Sequence, residues 1–305
     1  MNEIKLLHAA DLHLDSPFEG LGGEKAMRRR AEERQLLYGI AQLAESESAD
    51  MILLAGDLLD SDTAYAETAE DIAKAFGSLG IPVFISPGNH DFYSERSPYA
   101  RVEFPENIHI FKKPVPECVE LPDIGARVWG AAFTDKHSGA MLRGFSAVKV
   151  PGVKDIMCIH GELNEASSYD PITESDIAAS GMDYIALGHI HSGSGLRRAG
   201  GCCYAWPGRP EGLKAHDEAP AQAVVARKRP NIAPQNGLVT KLECKKSALK
   251  RTKQSIDIGR ALGLAAQNDA VNVVFRVLRQ GFFDIAEHVP SAELHLSYLI
   301  AALRD

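Results

Sequence analysis

The chain has 305 residues, 45% hydrophobic and 24% charged, with a formal net charge of −8. That length can bury one large core or two ordinary ones, and no apolar run reaches the ~20 residues that a bilayer-spanning helix needs. Five cysteines (Cys118, Cys158, Cys202, Cys203 and Cys244) without C-x-x-C spacing argue against a disulfide framework or a thiolate zinc site.

The opening "MNEIKLLHAADLH" lacks the basic and long apolar regions of a signal peptide, so a cytoplasmic protein is expected. Charge is unevenly spread. Residues 209–255 hold 11 Lys/Arg against 4 Asp/Glu and residues 256–305 hold 4 against 6, which leaves residues 1–208 with a net charge of −13. An acidic region of this kind suits a phosphate-bearing substrate only when cations are bound within it.

In chain order, apolar runs at 4–9, 51–55, 83–86, 108–111, 127–133, 156–159 and 184–187 read as strands. The stretch between the first two reads as a helix with Met27, Leu36, Ile40, Leu43 and Ala44 on its apolar face. A second helix is predicted over 63–80, ending near Gly77 or Gly80. A short third covers 172–181, with Thr173 as N-cap, Asp176 three residues on and Gly181 just past the end. Strand and helix alternating in this way predict an α/β architecture. After "YAWPGRPEG" (204–212) clear periodicity is lost, and a domain boundary is placed near 208. Residues 209–255 read as a basic linker, 271–278 as a strand and 291–304 as a closing helix.

The polar residues gather at the ends of the strands. The first run is followed by "DLH" (Asp11, His13), the second by "GD" (Gly56, Asp57) and the third by "PGNHD" (87–91). The sixth is followed by "HGE", led by His160, and the seventh by "GHIH" (His189, His191). In an extended segment, side chains at i and i+2 share a face, so Asp11 and His13 are expected to converge. One such pair fits a metal site, a proton-transfer pair or a local hydrogen bond, and does not decide between them. Five runs releasing such groups at their carboxyl ends, where α/β sheets assemble sites, point to a shared centre. Gly56, Gly88 and Gly188 allow the tight strand exits.

Asp11, His13, Asp57, Asn89, His160, His189 and His191 supply two carboxylates, one amide oxygen and four imidazoles. This nitrogen and oxygen set without thiolate suits Mn²⁺, Fe or Zn²⁺. It is too many groups for one ion and suits two, with Asp57 as the bridging carboxylate. The six histidines outside these motifs (His8, His109, His137, His216, His288 and His295) read as structural or solvent-exposed. Any single short match is common by chance; all five in order are not.

The ordered set D-x-H, GD, GNHD, H and GHxH over residues 1–208 resembles the calcineurin-like metallophosphoesterase superfamily. Within it, "HAADLHLDSPFEGL" and "YAWPGRPEG" are similar to the SbcD-type DNA repair exonucleases, in particular their YhaO-like branch. The resemblance implies a sandwich of two mixed β-sheets flanked by helices, a catalytic domain over 1–208 and a partial capping subdomain over 256–305. It implies a metal-dependent DNA exonuclease with two divalent ions, foremost Mn²⁺, and as partners DNA and an SbcC-like ATPase; a second copy of the chain stands apart as a candidate partner that the sequence does not decide. By position, Asp11, His13, Asp57 and His191 take one ion, and Asp57, Asn89, His160 and His189 the other. His90 is then the residue that helps expel the leaving group, with Asp91 fixing its orientation.

Two rival readings remain. A metallophosphoesterase of small phosphodiesters accords with the acidic region. A non-catalytic scaffold of the same fold should have lost ligands or His90, and none is lost. The basic stretch 209–255 reads equally as a DNA contact or a solvated linker. Tyr204 and Trp206 read as either substrate-stacking or core residues.

Overall fold

The computed structural model describes residues 4–18, 20–62, 64–210, 221–229, 241–247 and 272–278. Two mixed sheets form the frame, as expected. The first has four parallel strands: β1 (Lys5–Ala9), β2 (Met51–Leu54), β3 (Val83–Ile85) and β4 (Ile108–Ile110). In the second, β5 (Glu117–Leu121) runs antiparallel to β6 (Ala126–Gly130). That strand continues in parallel through β7 (Lys154–His160) and β8 (Tyr184–Gly188). An antiparallel strand β9 (Arg197–Ala199) closes this sheet beyond β10 (Cys202–Ala205). Helices α1 (Gly23–Ser46), α2 (Ala66–Gly77), α3 (Pro98–Arg101) and α4 (Glu174–Ala179) complete the elements of this part.

Each central strand is buried on both faces, which is why the sequence shows unbroken apolar runs instead of alternation. Leu6, Met51, Leu53, Phe84, Ile156, Cys158 and Ala186 fill the space between the sheets. Their neighbours Leu7, Ile52, Leu54 and Ile85 face the helices, packing against Leu37, Ile40, Ile72 and Phe76. On the outer face of the second sheet, Met157, Ile159, Ile185 and Leu187 meet Ile177, Tyr204 and Trp206. A buried hydrogen bond of 3.0 Å between His8 Nδ1 and the Tyr184 hydroxyl links the two sheets.

The helices α1 and α2 correspond to the first two expected, but Met27 is 65% exposed and lies off the buried face of α1. The third expected helix is α4, which carries the predicted Thr173 cap as a reciprocal capping box with Asp176, and Gly181 follows with φ 75°.

The stretch expected to be a linker contains two strands, β11 (Ala221–Arg229) and β12 (Lys241–Ser247). β11 pairs antiparallel with β1, so the first sheet runs β12-β13-β11-β1-β2-β3-β4, where β13 is Asn272–Leu278. This pairing is non-local, which local periodicity cannot announce. β13 matches the strand expected over 271–278. The closing helix expected over 291–304 lies outside the described residues. Among the described residues, no helix is long and apolar enough to cross a membrane.

Candidate metal centre

The carboxyl ends of β1, β2, β3, β7 and β8 meet, and all seven candidate ligands converge there. The route differs from the expected one at the first motif. Asp11 and His13 are not in an extended segment but in a left-handed turn, with φ 57° and 48°. Asp57 (φ 50°) and His189 (φ 91°) share this uncommon conformation. Cross-loop hydrogen bonds hold the turns: Asp11 N–H donates to Gly56 O (3.0 Å), and His13 N–H to Asp57 O (2.9 Å). Asp11 and His13 converge because the neighbouring loop bends the chain.

Asp57 lies between the two halves of the cluster. Its Oδ2 is 3.3 Å from His160 Nε2 and 3.8 Å from His13 Nε2, while Oδ1 accepts the His90 N–H at 2.9 Å. On one side, Asp11, His13 and His191 bring ligand atoms within 4.8 Å of one another. On the other, Asp57, His160 and His189 do the same. Asn89 Oδ1 completes that second group, 3.0 Å from His160 Nε2 and 3.1 Å from His189 Nδ1. A further trio of His13, Asp57 and His90 meets the same spacing, so His90 borders the cluster.

The unsatisfied chemistry fits cations. Asp11 Oδ1 accepts the His189 N–H at 2.9 Å, but Oδ2 is fully buried without a hydrogen-bond partner among the described residues. Leaving a buried carboxylate oxygen unpaired is costly unless a positive group faces it. Nε2 of His13 and Nε2 of His191 face each other at 3.1 Å. Outer contacts aim the rings inward. His13 Nδ1 bonds Asp60 Oδ1 at 2.8 Å, and His160 Nδ1 bonds Ala55 O at 2.9 Å. An imidazole that donates through Nδ1 presents the Nε2 lone pair to a metal.

Proton affinities follow the same geometry. Burial lifts Asp11 to about 6, with Asp57 adding to the rise and His160 and His13 opposing it. Burial also penalises Asp57, but the charge and hydrogen bond of His160, with His13 and His90, hold it below the ordinary carboxylate value. Burial disfavours the charged form of His160, yet Asp57 and Asp11 carry it up to about 9. His191 is pushed down to about 4 by burial, then by His13 and Arg209.

Asp91 does not do what was expected of it. Its buried carboxylate accepts the N–H groups of Asp57, Leu58, Leu59 and Gly88, and the Tyr99 hydroxyl at 2.6 Å. It thereby folds the GD and GNHD loops together. The His90 ring is faced by Asp60 instead: Nδ1 lies 3.4 Å from Asp60 O and 3.7 Å from its Oδ1. Asp60 was missed, although its place three residues after Asp57 was the available signal.

A cleft of about 280 Å³ adjoins His90, lined by Asp60, Asn89, Lys136, His137 and Tyr169 among others. Tyr169 stacks on His137 (centroids 5.4 Å) and tilts over His189 (5.1 Å). His137 thus borders the site, whereas Tyr204 and Trp206 are buried core residues. Lys136, His137 and Tyr169 sit on loops, and no sequence pattern marked them.

Asp170 staples these loops. Its Oδ1 accepts the Met141 N–H at 2.6 Å, and its own N–H donates to Ser138 O. Burial raises its pKa from 3.8 to about 7, against the pull of the Met141 N–H and the His160 charge. Because the native value is the higher one, the stabilisation is full below about pH 4 and lost as pH rises through about 7. Asp170→Asn should remove that slope. In chelator-treated protein, its melting temperature is expected to gain on wild type between about pH 5 and pH 8, and parallel curves would refute the assignment.

With this geometry in place, the family model described as "Calcineurin-like phosphoesterase" matches residues 4–193. The chain belongs to that family. It is 34% identical over 204 residues to the "Uncharacterized metallophosphoesterase YhaO" of Bacillus subtilis, covering 63% of this chain and 49% of the relative. It is 25% identical over 223 residues to the "DNA double-strand break repair protein Mre11" of Saccharolobus solfataricus, covering 70% and 56%. Against the SbcD polypeptide of the nuclease SbcCD from Bacillus subtilis, identity is 23% over 236 residues, covering 64% and 59%. The chain therefore spans about half the length of these curated relatives.

Proposed function

We propose that the chain is a metal-dependent phosphodiesterase that cleaves DNA as an exonuclease in repair. The observation that carries the hydrolytic reading is the buried, partnerless Asp11 Oδ2 in a cluster centred on Asp57, with His90 at its edge. The DNA reading draws support from relatives named for double-strand break repair and for nuclease activity. DNA and an SbcC-like ATPase are the partners proposed with it, and a second copy of the chain is a third. Two divalent ions held by Asp11, His13, Asp57 and His191, and by Asp57, Asn89, His160 and His189, would neutralise phosphoester charge and acidify water. Mn²⁺ is the first choice for this ligand set, with Fe and Zn²⁺ as alternatives.

The chain's own groups do the remainder. Asp57 ties the two ligand sets together through one carboxylate. Asn89 contributes an oxygen without adding negative charge. Asp60 O and Oδ1 near His90 Nδ1 can accept its N–H, and the doubly protonated ring, held in that orientation, would give its Nε2 proton to the leaving oxygen. Asp91 keeps His90 and Asp57 in register by holding the backbone of both loops.

A second reading is hydrolysis of small phosphodiesters, favoured by the compact cleft and the net charge of −13 over residues 1–208. The two separate in one comparison: wild type and His90→Ala, each with Mn²⁺, on end-labelled linear duplex DNA and on bis-p-nitrophenyl phosphate. Loss of DNA cleavage by roughly 10²–10³-fold in the variant is expected, with a smaller loss on the activated diester, whose leaving group needs little protonation. Unchanged DNA cleavage would remove His90 from the chemistry. Hydrolysis of the small diester alone would favour the second reading.

A further inference from the structure

The segment "WPGR" (206–209) has no place among the ligands, yet it touches every histidine loop of the second sheet. Trp206 is 3% exposed and stands edge-on to Tyr204, at 5.7 Å between ring centroids, in the outer core. Its indole Nε1–H is shared between two carbonyls, Gly161 O and Gly188 O, each at 3.0 Å. Gly161 follows His160, and Gly188 precedes His189. The Trp206 backbone also pairs with Ser194: its N–H donates to Ser194 Oγ (3.0 Å), and its carbonyl accepts the Ser194 N–H (3.1 Å).

Three residues on, Arg209 N–H donates to His191 O at 2.9 Å. The Arg209 side chain is itself buried and pairs with buried Glu33 of α1, at 3.5 Å. Between these anchors Gly208 has φ 77°, and a Cβ there would lie 2.6 Å from Gly193 N and 2.9 Å from His191 O. The strand exit is thus laid directly against the GHIH loop.

We infer that residues 206–209 form a positioning clamp that sets the relative placement of His160, His189 and His191 for metal binding. The inference rests on the metal reading above. One indole donor gripping the backbones of two ligand loops fixes their separation, and the Arg209 bond fixes the loop that carries His191. Contacts of this outer kind typically govern metal affinity by about 10- to 100-fold. Trp206 acts through other residues: it is buried and does not line the cleft.

The test is calorimetric titration of Mn²⁺ into the full chain, with bis-p-nitrophenyl phosphate hydrolysis followed across Mn²⁺ concentrations. Trp206→Phe keeps an aromatic side chain in the core and deletes the donor. Mn²⁺ binding at least about tenfold weaker is expected, together with activity that is lost at low Mn²⁺ and recovers as Mn²⁺ is raised. The assays are run below the melting transition of the metal-free variant, where a packing defect has no unfolded fraction for Mn²⁺ to recover. Ser194→Ala, which removes the Oγ acceptor of the Trp206 N–H together with the Oγ bond to Gly195 O, should weaken Mn²⁺ in the same direction by a smaller factor, and serves if the first variant does not fold. Wild type binding two equivalents and both variants matching it would overturn the clamp. So would a raised KM at saturating Mn²⁺ with unchanged Mn²⁺ affinity, which would place Trp206 in substrate binding. Wild type binding no Mn²⁺ would instead overturn the metal reading itself.

Discussion

Asp57→Asn is expected to lower phosphodiester hydrolysis by roughly 10⁴-fold or more while leaving the fold intact. Its carboxylate is the only candidate ligand shared by both halves of the proposed centre, 3.3 Å from His160 and 3.8 Å from His13. An amide keeps an oxygen to accept the His90 N–H but loses the charge that makes two cations tolerable side by side. Its NH₂ would also point toward one of the two imidazoles. Mn²⁺ titration should show no site of wild-type affinity, whereas His90→Ala should still bind two equivalents. Two retained equivalents in Asp57→Asn would show that the bridge lies elsewhere.

Gly188→Ala is the second large effect, and it acts on stability and activity together. A Cβ at this position would collide with the backbone carbonyl of Ala55 and come within 2.6 Å of His160 Nδ1. Neither neighbour can yield cheaply. The carbonyl belongs to the exit of β2 and already accepts the His160 Nδ1 proton at 2.9 Å, so any shift breaks the bond that aims the ring. Overpacking of this rigidity is expected to cost about 3 kcal/mol or more. Thermal unfolding and Mn²⁺ titration should fall together. A variant with wild-type melting and wild-type metal affinity would mean that the two loops are not in the contact described.

The strands and candidate ligands were legible for one reason: the candidate site is built from residue types placed after apolar runs. Ile52, Leu53 and Leu54 read as a strand because both faces are buried, and Asp57 stands out as the charge that ends the run. The same logic does not reach contacts between distant segments. Asp91 looked like a partner for His90 because the two are adjacent, yet its carboxylate turns to the backbone of Asp57 and Leu58. Cys202–Ala205 is too short to show a period, and its strand exists by pairing with β8. β11 likewise owes its place to pairing with β1. Met27 fitted a helical stripe but lies off the buried face of α1, beside buried Ala26.

The left-handed turns at Asp11, His13, Asp57 and His189 have a consequence for how this protein changes under selection. A non-glycine residue in such a conformation costs on the order of 1 kcal/mol or more, and glycine relieves it. The positions that bring the chemistry together are therefore liabilities in the folding balance. A library screened only for heat resistance should drift toward glycine or asparagine at these four positions, gaining melting temperature as it discards the ligands. Their retention in a library screened for hydrolysis instead would report the chemistry, because folding alone would let them go.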